Sequence, residues 1–366
     1  MSELIDQRND KNLRRQLLTT ASALVLVLYG AESKAEDTDR PTVWIEIGGQ
    51  LERMPRFEDS ISPTFAVRTP RPSFETVSPL SLLQAPRYAT GVEGKLTFEP
   101  SGSAWVFSAA VRYGRSNGKR HFHNQTYTPT HLQNLQSNGY VTPGRFQDVT
   151  TKFHESHTVL DFAVGRDVGL GLFGTSVANL GVRYAQFSIA STIGMSSKPD
   201  FIKIRTAAGA GKYFSRAGFH NYTADSNAER SFHGMGPSLS FNGSVPLTHR
   251  EDSGLAFDWG VNGALLFGKQ KAAVSHHTYG RYAQAIKYPT DPHYDRPHHR
   301  TSSRSVTVPN LGGFAGLSMR YTNAKISFGY RADVFFGAMD GGIDARREYN
   351  RTFYGPFATI SIGLGG

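Results

Sequence analysis

The stretch LAFDWGVNGALLFG, residues 255–268, alternates between two kinds of side chain. One set of alternate residues is large and apolar and includes Phe257 and Trp259, whereas the set between them is small or polar and includes Asp258. A period of two predicts a β-strand with one apolar and one polar face. Taken alone, the stretch does not reveal whether its apolar face contacts a protein core or lipid.

The same two-residue period recurs along the whole chain. Each segment is about as long as a strand that crosses a membrane, ~9–11 residues, with some overhang. The ten segments are approximately 43–53, 88–99, 104–116, 153–167, 176–190, 231–247, 254–270, 306–321, 324–337 and 352–365.

The connections between these segments alternate strictly in length. The long ones are 54–87, 117–152, 191–230, 271–305 and 338–351, and the short ones are 100–103, 166–175, 248–253 and 322–323. Short periplasmic turns and long extracellular loops are typical of bacterial outer-membrane barrels. The sequence therefore predicts an all-β, antiparallel, up-and-down transmembrane β-barrel of about ten strands, or twelve if a hairpin lies within 191–230.

The two faces of the predicted strands differ in chemistry. The outward face carries no charge, and its aromatic residues fall near the strand ends, which suggests interfacial girdles. The predicted lipid-facing aromatic residues are Tyr88, Phe98, Trp105, Tyr113, Trp259, Phe267, Tyr321 and Phe336. The inward face is charged, and its predicted lumen-lining residues are Glu93, Lys95, Arg112, Asp161, Arg183, Asp258, Arg320, Arg331 and Asp333.

A soluble β-sandwich would give the same alternation with its apolar face turned inward. The N-terminus favours the membrane alternative, because basic residues precede the apolar run LLTTASALVLVLYG and the small-residue site Ser33-Lys34-Ala35. We predict a cleaved signal peptide over residues 1–35 and a single barrel domain over 36–366. The localisation that follows is the outer membrane, reached by export through the inner membrane.

Composition excludes several kinds of site. The chain has no cysteine, which removes disulfides, thiolate metal sites and cysteine catalysis. Its formal net charge of +10 could indicate nucleic acid, but behind a signal peptide it favours anionic lipid headgroups, acidic polysaccharide or anionic solutes. We therefore expect lipopolysaccharide and no nucleic acid among the partners.

The thirteen histidines are the strongest candidates for a metal site. Twelve fall in or beside the long loops, and HESH at 154–157 and the pairs 276/277 and 298/299 have spacings that could hold zinc or copper. Tolerated surface histidine is the better interpretation, so no metal or cofactor is predicted. Asp291 and His293 resemble the Asp–His pair of the omptin proteases. Those enzymes also need a second, acidic pair across the cleft, which is not found as a motif here, and we predict no enzyme.

Four segments together resemble one known family. They are VRYAQFS (182–188), GMGPSLSFNGSVPL (234–247), SFGYRADVFFGAMDGG (327–342) and YGPFATISIGLGG (354–366). As a set they are similar to the Legionella-type major outer-membrane protein family, across roughly residues 42–366. The resemblance implies an outer-membrane barrel, porin-like in some members and adhesive in others, and it supplies no catalytic residues.

Two functions remain open at this point. The first is a narrow porin-like channel for small solutes or ions, in which the inward charges tune selectivity. The second is a closed structural or adhesive barrel, in which those charges pair with one another and the extracellular loops bind host or polysaccharide partners. In both cases we expect contact with outer-membrane lipid and with the outer-membrane assembly machinery.

Overall fold

The computed structural model describes most of the region predicted to be a barrel. The described residues are 43–54, 65–66, 76–77, 87–101, 103–127, 144–168, 175–198, 203–204, 214–215, 219–249, 254–282, 293–321, 323–342 and 345–364. The predicted signal peptide, residues 1–35, lies outside them. No helix among the described residues is long and apolar enough to span a membrane.

Ten strands build the main sheet, and each overlaps one of the ten predicted segments. They are β1 (Val43–Met54), β2 (Arg87–Phe98), β3 (Trp105–Tyr127), β4 (Gly144–Asp167), β5 (Thr175–Lys198), β6 (Phe219–His249), β7 (Gly254–Tyr282), β8 (His293–Arg320), β9 (Ala324–Asp340) and β10 (Glu348–Leu364).

The sheet closes into a barrel in which every strand pairs antiparallel with its neighbours in sequence, and β1 also pairs with β10. This confirms the predicted closed, up-and-down, ten-stranded barrel. The twelve-strand alternative is wrong. The small hairpin of 203–204 with 214–215 pairs only with itself, and the flanking residues of 191–230 lengthen β5 and β6 instead.

Six strands are longer than predicted. β3 to β8 contain 23 to 31 residues each, whereas β1 and β2 contain 12. Much of the predicted loops 117–152, 191–230 and 271–305 is therefore strand, and this prediction is corrected. The apolar outer face ends where lipid contact would end, but the backbone ladder continues in polar sequence, so the hydropathy pattern marks only part of each strand.

The polar continuation of these six strands is called the extension below. It consists of the described residues of 117–152, 191–230 and 271–305. The end of the barrel that carries it is the long-loop end, and the opposite end, where both β1 begins and β10 ends, is the short-turn end. Because the six strands are consecutive in the barrel, the extension raises one side of the wall above the described ends of the other four strands.

Large apolar side chains cover the outer surface of the barrel below the extension. Ile47 is 67% exposed, Val92 61% and Phe328 65%, and the same pattern is repeated on all strands of the closed sheet except where glycine, alanine or proline intervenes. A soluble sandwich would bury these side chains, because a monomeric soluble protein rarely exposes so large a continuous apolar surface. The outer surface is an apolar belt suited to hydrocarbon.

Candidate functional site

The interior of the barrel is the candidate site, and Arg183 is a hub within it. Its guanidinium donates to both carboxylate oxygens of Asp161 at 2.6 and 3.1 Å, and to the side-chain oxygen of Asn262 at 2.7 Å. It also donates to Asn310, whose amide donates to the carbonyl of Val334 at 3.0 Å. The Arg183 side chain is buried, and it lies on the inward face as the strand period predicted. Its four hydrogen bonds use most of the donors of the guanidinium.

Two further ion pairs cross the lumen. Arg112 donates to Asp333 at 2.5 Å, and Arg331 contacts Glu93. The guanidinium of Arg331 also lies 4.8 Å from the centroid of the Phe357 ring, a cation–π contact. These pairs join strands that are distant in the chain, so they brace the closed barrel across its diameter.

Asp258, from the opening stretch, lies nearer the short-turn end. Its carboxylate contacts the Nζ atom of Lys325 at 2.6 Å and the guanidinium of Arg320 at 3.2 Å, and it accepts a hydrogen bond from Ser244 at 2.6 Å. Lys95 faces the lumen opposite Glu46, which accepts a hydrogen bond from a serine of β10. Eight of the nine predicted lumen residues therefore contact a charged partner inside the barrel, namely Glu93, Arg112, Asp161, Arg183, Asp258, Arg320, Arg331 and Asp333.

An aromatic layer lies in the barrel interior beyond these pairs, towards the long-loop end. The Phe187 ring packs 4.7 Å from the Phe335 ring, 5.7 Å from the Phe232 ring and 5.5 Å from the Phe353 ring, measured between centroids. Phe187, Phe232 and Phe335 are 0% exposed, as is Leu266 beside them. A water molecule cannot touch these side chains, so the layer is dry.

The sequence interpretation missed this layer, because it assigned only charges to the interior. The signal was present: Phe187 follows Arg183 by four residues, and Phe335 follows Asp333 by two, so each shares the inward face with a predicted lumen residue. Strand period separates the residues of a strand into two faces. It does not show what a ring on either face contacts, whether protein, water or lipid.

A second polar layer lies beyond the rings. Arg351 contacts Glu155, and His157 Nε2 lies 3.3 Å from a carboxylate oxygen of Glu52, all four side chains being buried. The imidazole also stacks on Phe353, with ring centroids 4.1 Å apart. Glu155 and His157 belong to the HESH segment that suggested metal, and here they make polar contacts with Arg351 and Glu52 in the barrel interior.

The other histidine pairs meet in the extension. His276 lies opposite His298 on β7 and β8, with ring centroids 5.1 Å apart, and a pocket of about 440 Å³ there is also lined by His277 and His299. Within the described part of the chain, no group of three histidine, aspartate or glutamate side chains is placed to hold a metal ion.

Asp340 organises the turn between β9 and β10 at the long-loop end. It accepts hydrogen bonds from Arg300 at 2.8 Å, from the backbone amide of Gly342 at 3.0 Å and from that of Arg347 at 3.1 Å. Burial alone would raise the pKa of its carboxyl, but these donors outweigh burial and hold the pKa below its ordinary value. Burial also lowers the pKa of the neighbouring Arg230 to about 10, which leaves it charged at neutral pH.

The structure places the predicted girdle residues on the outer surface with two qualifications. Phe98, Trp105 and Tyr321 are exposed at the short-turn end, and Tyr113, Phe267 and Phe336 are exposed further towards the long-loop end. Trp259 is only half-buried, because its indole packs on the Phe241 ring at 5.5 Å between centroids and covers Gly243. The side chain of Tyr88 lies outside the described residues.

No protein-family model matches the chain, and no characterised protein matches it in sequence. Among solved structures, the transport unit of the autotransporter AIDA-I from Escherichia coli is similar at 8% identity over 94% of this chain and 97% of that one, with a TM-score of 0.27. The monoaromatic hydrocarbon channel CymD matches at 7% identity over 89% and 90%, with a TM-score of 0.21, and the toluene transporter TbuX from Ralstonia pickettii at 7% over 89% and 90%, with a TM-score of 0.18. At such scores the function has to be argued from the geometry of this chain alone.

Proposed function

We propose that the protein is an outer-membrane β-barrel whose lumen is closed and whose activity resides on the extension, as a structural or adhesive surface protein. The observation that carries this proposal is the dry aromatic layer across the lumen. Ions and small polar solutes cross a barrel through water, and rings with no exposed surface leave no water along their edges.

The apolar belt supports the membrane part of the proposal. A closed sheet leaves no unpaired strand edge, which is the requirement for β-structure in hydrocarbon. Exposed rings near both ends of the belt match the preference of aromatic side chains for the two membrane interfaces. The predicted signal peptide and the contact with the assembly machinery are part of the same proposal.

The ion pairs support the closed lumen. At about eight strands a barrel interior is just filled by side chains, so ten strands leave little room beyond them. In this barrel the Arg112, Arg183 and Arg331 side chains each contact a carboxylate rather than open space. The porin-like channel, the first of the two functions expected from the sequence, finds no support in this arrangement and stays a prediction.

Planar-bilayer recording tests the proposal. Purified protein that shows heat-dependent mobility on a gel, the mark of a folded outer-membrane barrel, is added to a bilayer, and its insertion is verified by recovering the protein from the membrane. We expect no stepwise conductance. Discrete, reproducible conductance steps from the folded wild-type protein would establish the channel and overturn the closed lumen.

A further inference from the structure

Basic residues follow directly after the last apolar residue on the outer face of three strands. On β3, Arg115 comes two residues after the exposed Tyr113, on β7 Lys269 comes two residues after Phe267, and on β1 a basic residue follows Leu51 in the same way. Further along the same outer face, β7 carries Lys271 at the next outward position after Lys269, and β3 carries Lys119 one outward position after Asn117. We call this set the collar, and its members are Arg53, Arg115, Lys119, Lys152, Lys269 and Lys271, all exposed.

The arrangement of Lys119 and Lys152 argues for an anionic ligand. They are directly opposite each other on β3 and β4, where two like charges destabilise a sheet. Their neighbours on the same face are Asn117 and His154, which contact each other and supply no carboxylate. Among the residues that the structure describes, the ion pairs include no carboxylate with Lys119, Lys152, Lys269 or Lys271.

We infer that the collar binds the phosphate groups of lipopolysaccharide in the outer leaflet. The inference rests on the proposed placement in the outer membrane and adds a partner and a site to it. Phosphates of such a glycolipid lie where acyl chains end, and the collar begins where the apolar belt ends. One lipid molecule can therefore place its acyl chains on the belt and its phosphates on the lysines.

The geometry of a strand pair suits this role. Adjacent strands lie ~4.8 Å apart and successive outward residues on one strand ~6.6 Å apart, so neighbouring collar lysines can contact oxygens of a single phosphate or of two. A dissolved phosphate would use the same lysines but gain nothing from the belt. Acidic side chains also lie on this face. Asp148 of β4 contacts His121, and Asp225 and Glu229 of β6 interrupt the collar on that strand; all three lie further from the belt than the first collar residues.

Titration of the folded barrel with lipid A tests the inference. The barrel in detergent micelles is titrated with diphosphorylated lipid A, with chemically dephosphorylated lipid A and with inorganic phosphate, and bound species are counted by native mass spectrometry. We expect diphosphorylated lipid A to bind at least tenfold more tightly than the dephosphorylated form, and inorganic phosphate to compete poorly. Raising the salt concentration should weaken the diphosphorylated form most.

Substitution of the collar gives the second arm. Each lysine would add one exposed charge–phosphate contact, so Lys119→Gln, Lys152→Gln, Lys269→Gln and Lys271→Gln together should weaken binding about tenfold. Lys271→Gln alone has a matched control in Arg304→Gln, because Arg304 is exposed at the same height of the wall, one residue from the partner of Lys271, but its position alternates to the other face. The control should leave affinity unchanged.

The outcomes separate this inference from the proposed function. The collar is not a phosphate site if the quadruple Lys→Gln variant folds and binds diphosphorylated lipid A within twofold of the wild-type affinity. The same holds if dephosphorylated lipid A binds the wild-type protein as tightly as the diphosphorylated form. Tight binding of inorganic phosphate alone would overturn the lipid as its source. Failure of the barrel to insert into bilayers would instead reject the membrane placement.

Discussion

At the scale of single residues, charged side chains of the interior are shielded from solvent and contact one another. Arg183 shows this most directly, because its guanidinium donates to one carboxylate and two side-chain amide oxygens on three other strands. The sequence could place Arg183 and Asp161 on the inner face, since strand period fixes the face. It could not show that they pair, because a partner's distance depends on barrel shear, which no local pattern encodes.

Replacing Arg183 with methionine is expected to destabilise the barrel by about 3–5 kcal/mol, because the half-buried Asp161 would lose its bidentate partner and the side chains of Asn262 and Asn310 would lose their charged donor. The double variant Arg183→Met with Asp161→Leu should recover much of that loss. Both are measured by urea unfolding in detergent, followed by tryptophan fluorescence. Equal losses in the single and double variants would show that the pair is not the source of the stability.

Asp340 gives a prediction about pH at the same scale. Its folded pKa lies below its ordinary value of about 3.9, so its contribution to stability is complete above about pH 5 and is lost as pH falls through the folded pKa. Asp340→Asn should therefore lower the thermal unfolding midpoint at pH 7 and have a smaller effect at pH 3. Glu348→Gln is the control, because it removes a carboxylate near the same turn whose side chain is 66% exposed. A gap that stays constant from pH 7 to pH 3 would contradict the assignment.

At the scale of strands, each long strand has a membrane part and an extension part with different sequence rules. The membrane part alternates apolar with polar residues and was predictable to within a residue or two at the short-turn end, as β7 shows by beginning at Gly254. The extension lacks the apolar outer face, so residues such as Lys119 and Lys271 read as loop although they are strand. Hydropathy reports the surroundings of a strand, and it fails where those surroundings change from lipid to water.

Removing one hairpin of the extension tests whether the two parts are separable. Gly118 and Phe153 are directly opposite on β3 and β4, so residues 119–152 can be replaced by an Asn-Gly turn that suits a two-residue hairpin. We expect the shortened protein to fold and to keep heat-dependent mobility, because the remaining ladder of β3 and β4 below Gly118 is intact. The same variant should bind diphosphorylated lipid A less tightly, since it lacks Lys119 and Lys152. Loss of the folded form would show that the extension is needed to close the barrel.

At the scale of the whole molecule, charge, ring and charge follow one another along the barrel axis. The ion pairs of Arg112 and Arg331 lie on one side of the aromatic layer, and the pair of Arg351 with Glu155 lies on the other. The polar layers are buried too, but they hold carboxylate oxygens without a donor among the described residues, one on Glu93 and one on Asp333, and such atoms would accept a hydrogen bond from water if it entered. The ring layer has no such atoms, so it should be the barrier to ions.

Truncating the rings should therefore open a path that the wild type lacks. Phe187→Ala with Phe335→Ala removes two side chains that pack against each other at 4.7 Å and are fully buried, leaving a gap that continues into hydratable layers. In planar bilayers we expect small discrete conductance steps from this variant and none from wild type. Phe328→Ala with Phe336→Ala is the matched control, since it deletes two rings of the same size from the outer face, and it should stay silent. Because core truncation also costs several kcal/mol per ring, heat-dependent mobility must first show that the variant is folded. A folded and inserted variant that stays silent would move the barrier from the rings to the ion pairs, where substitution of Arg331 would be the next site to open.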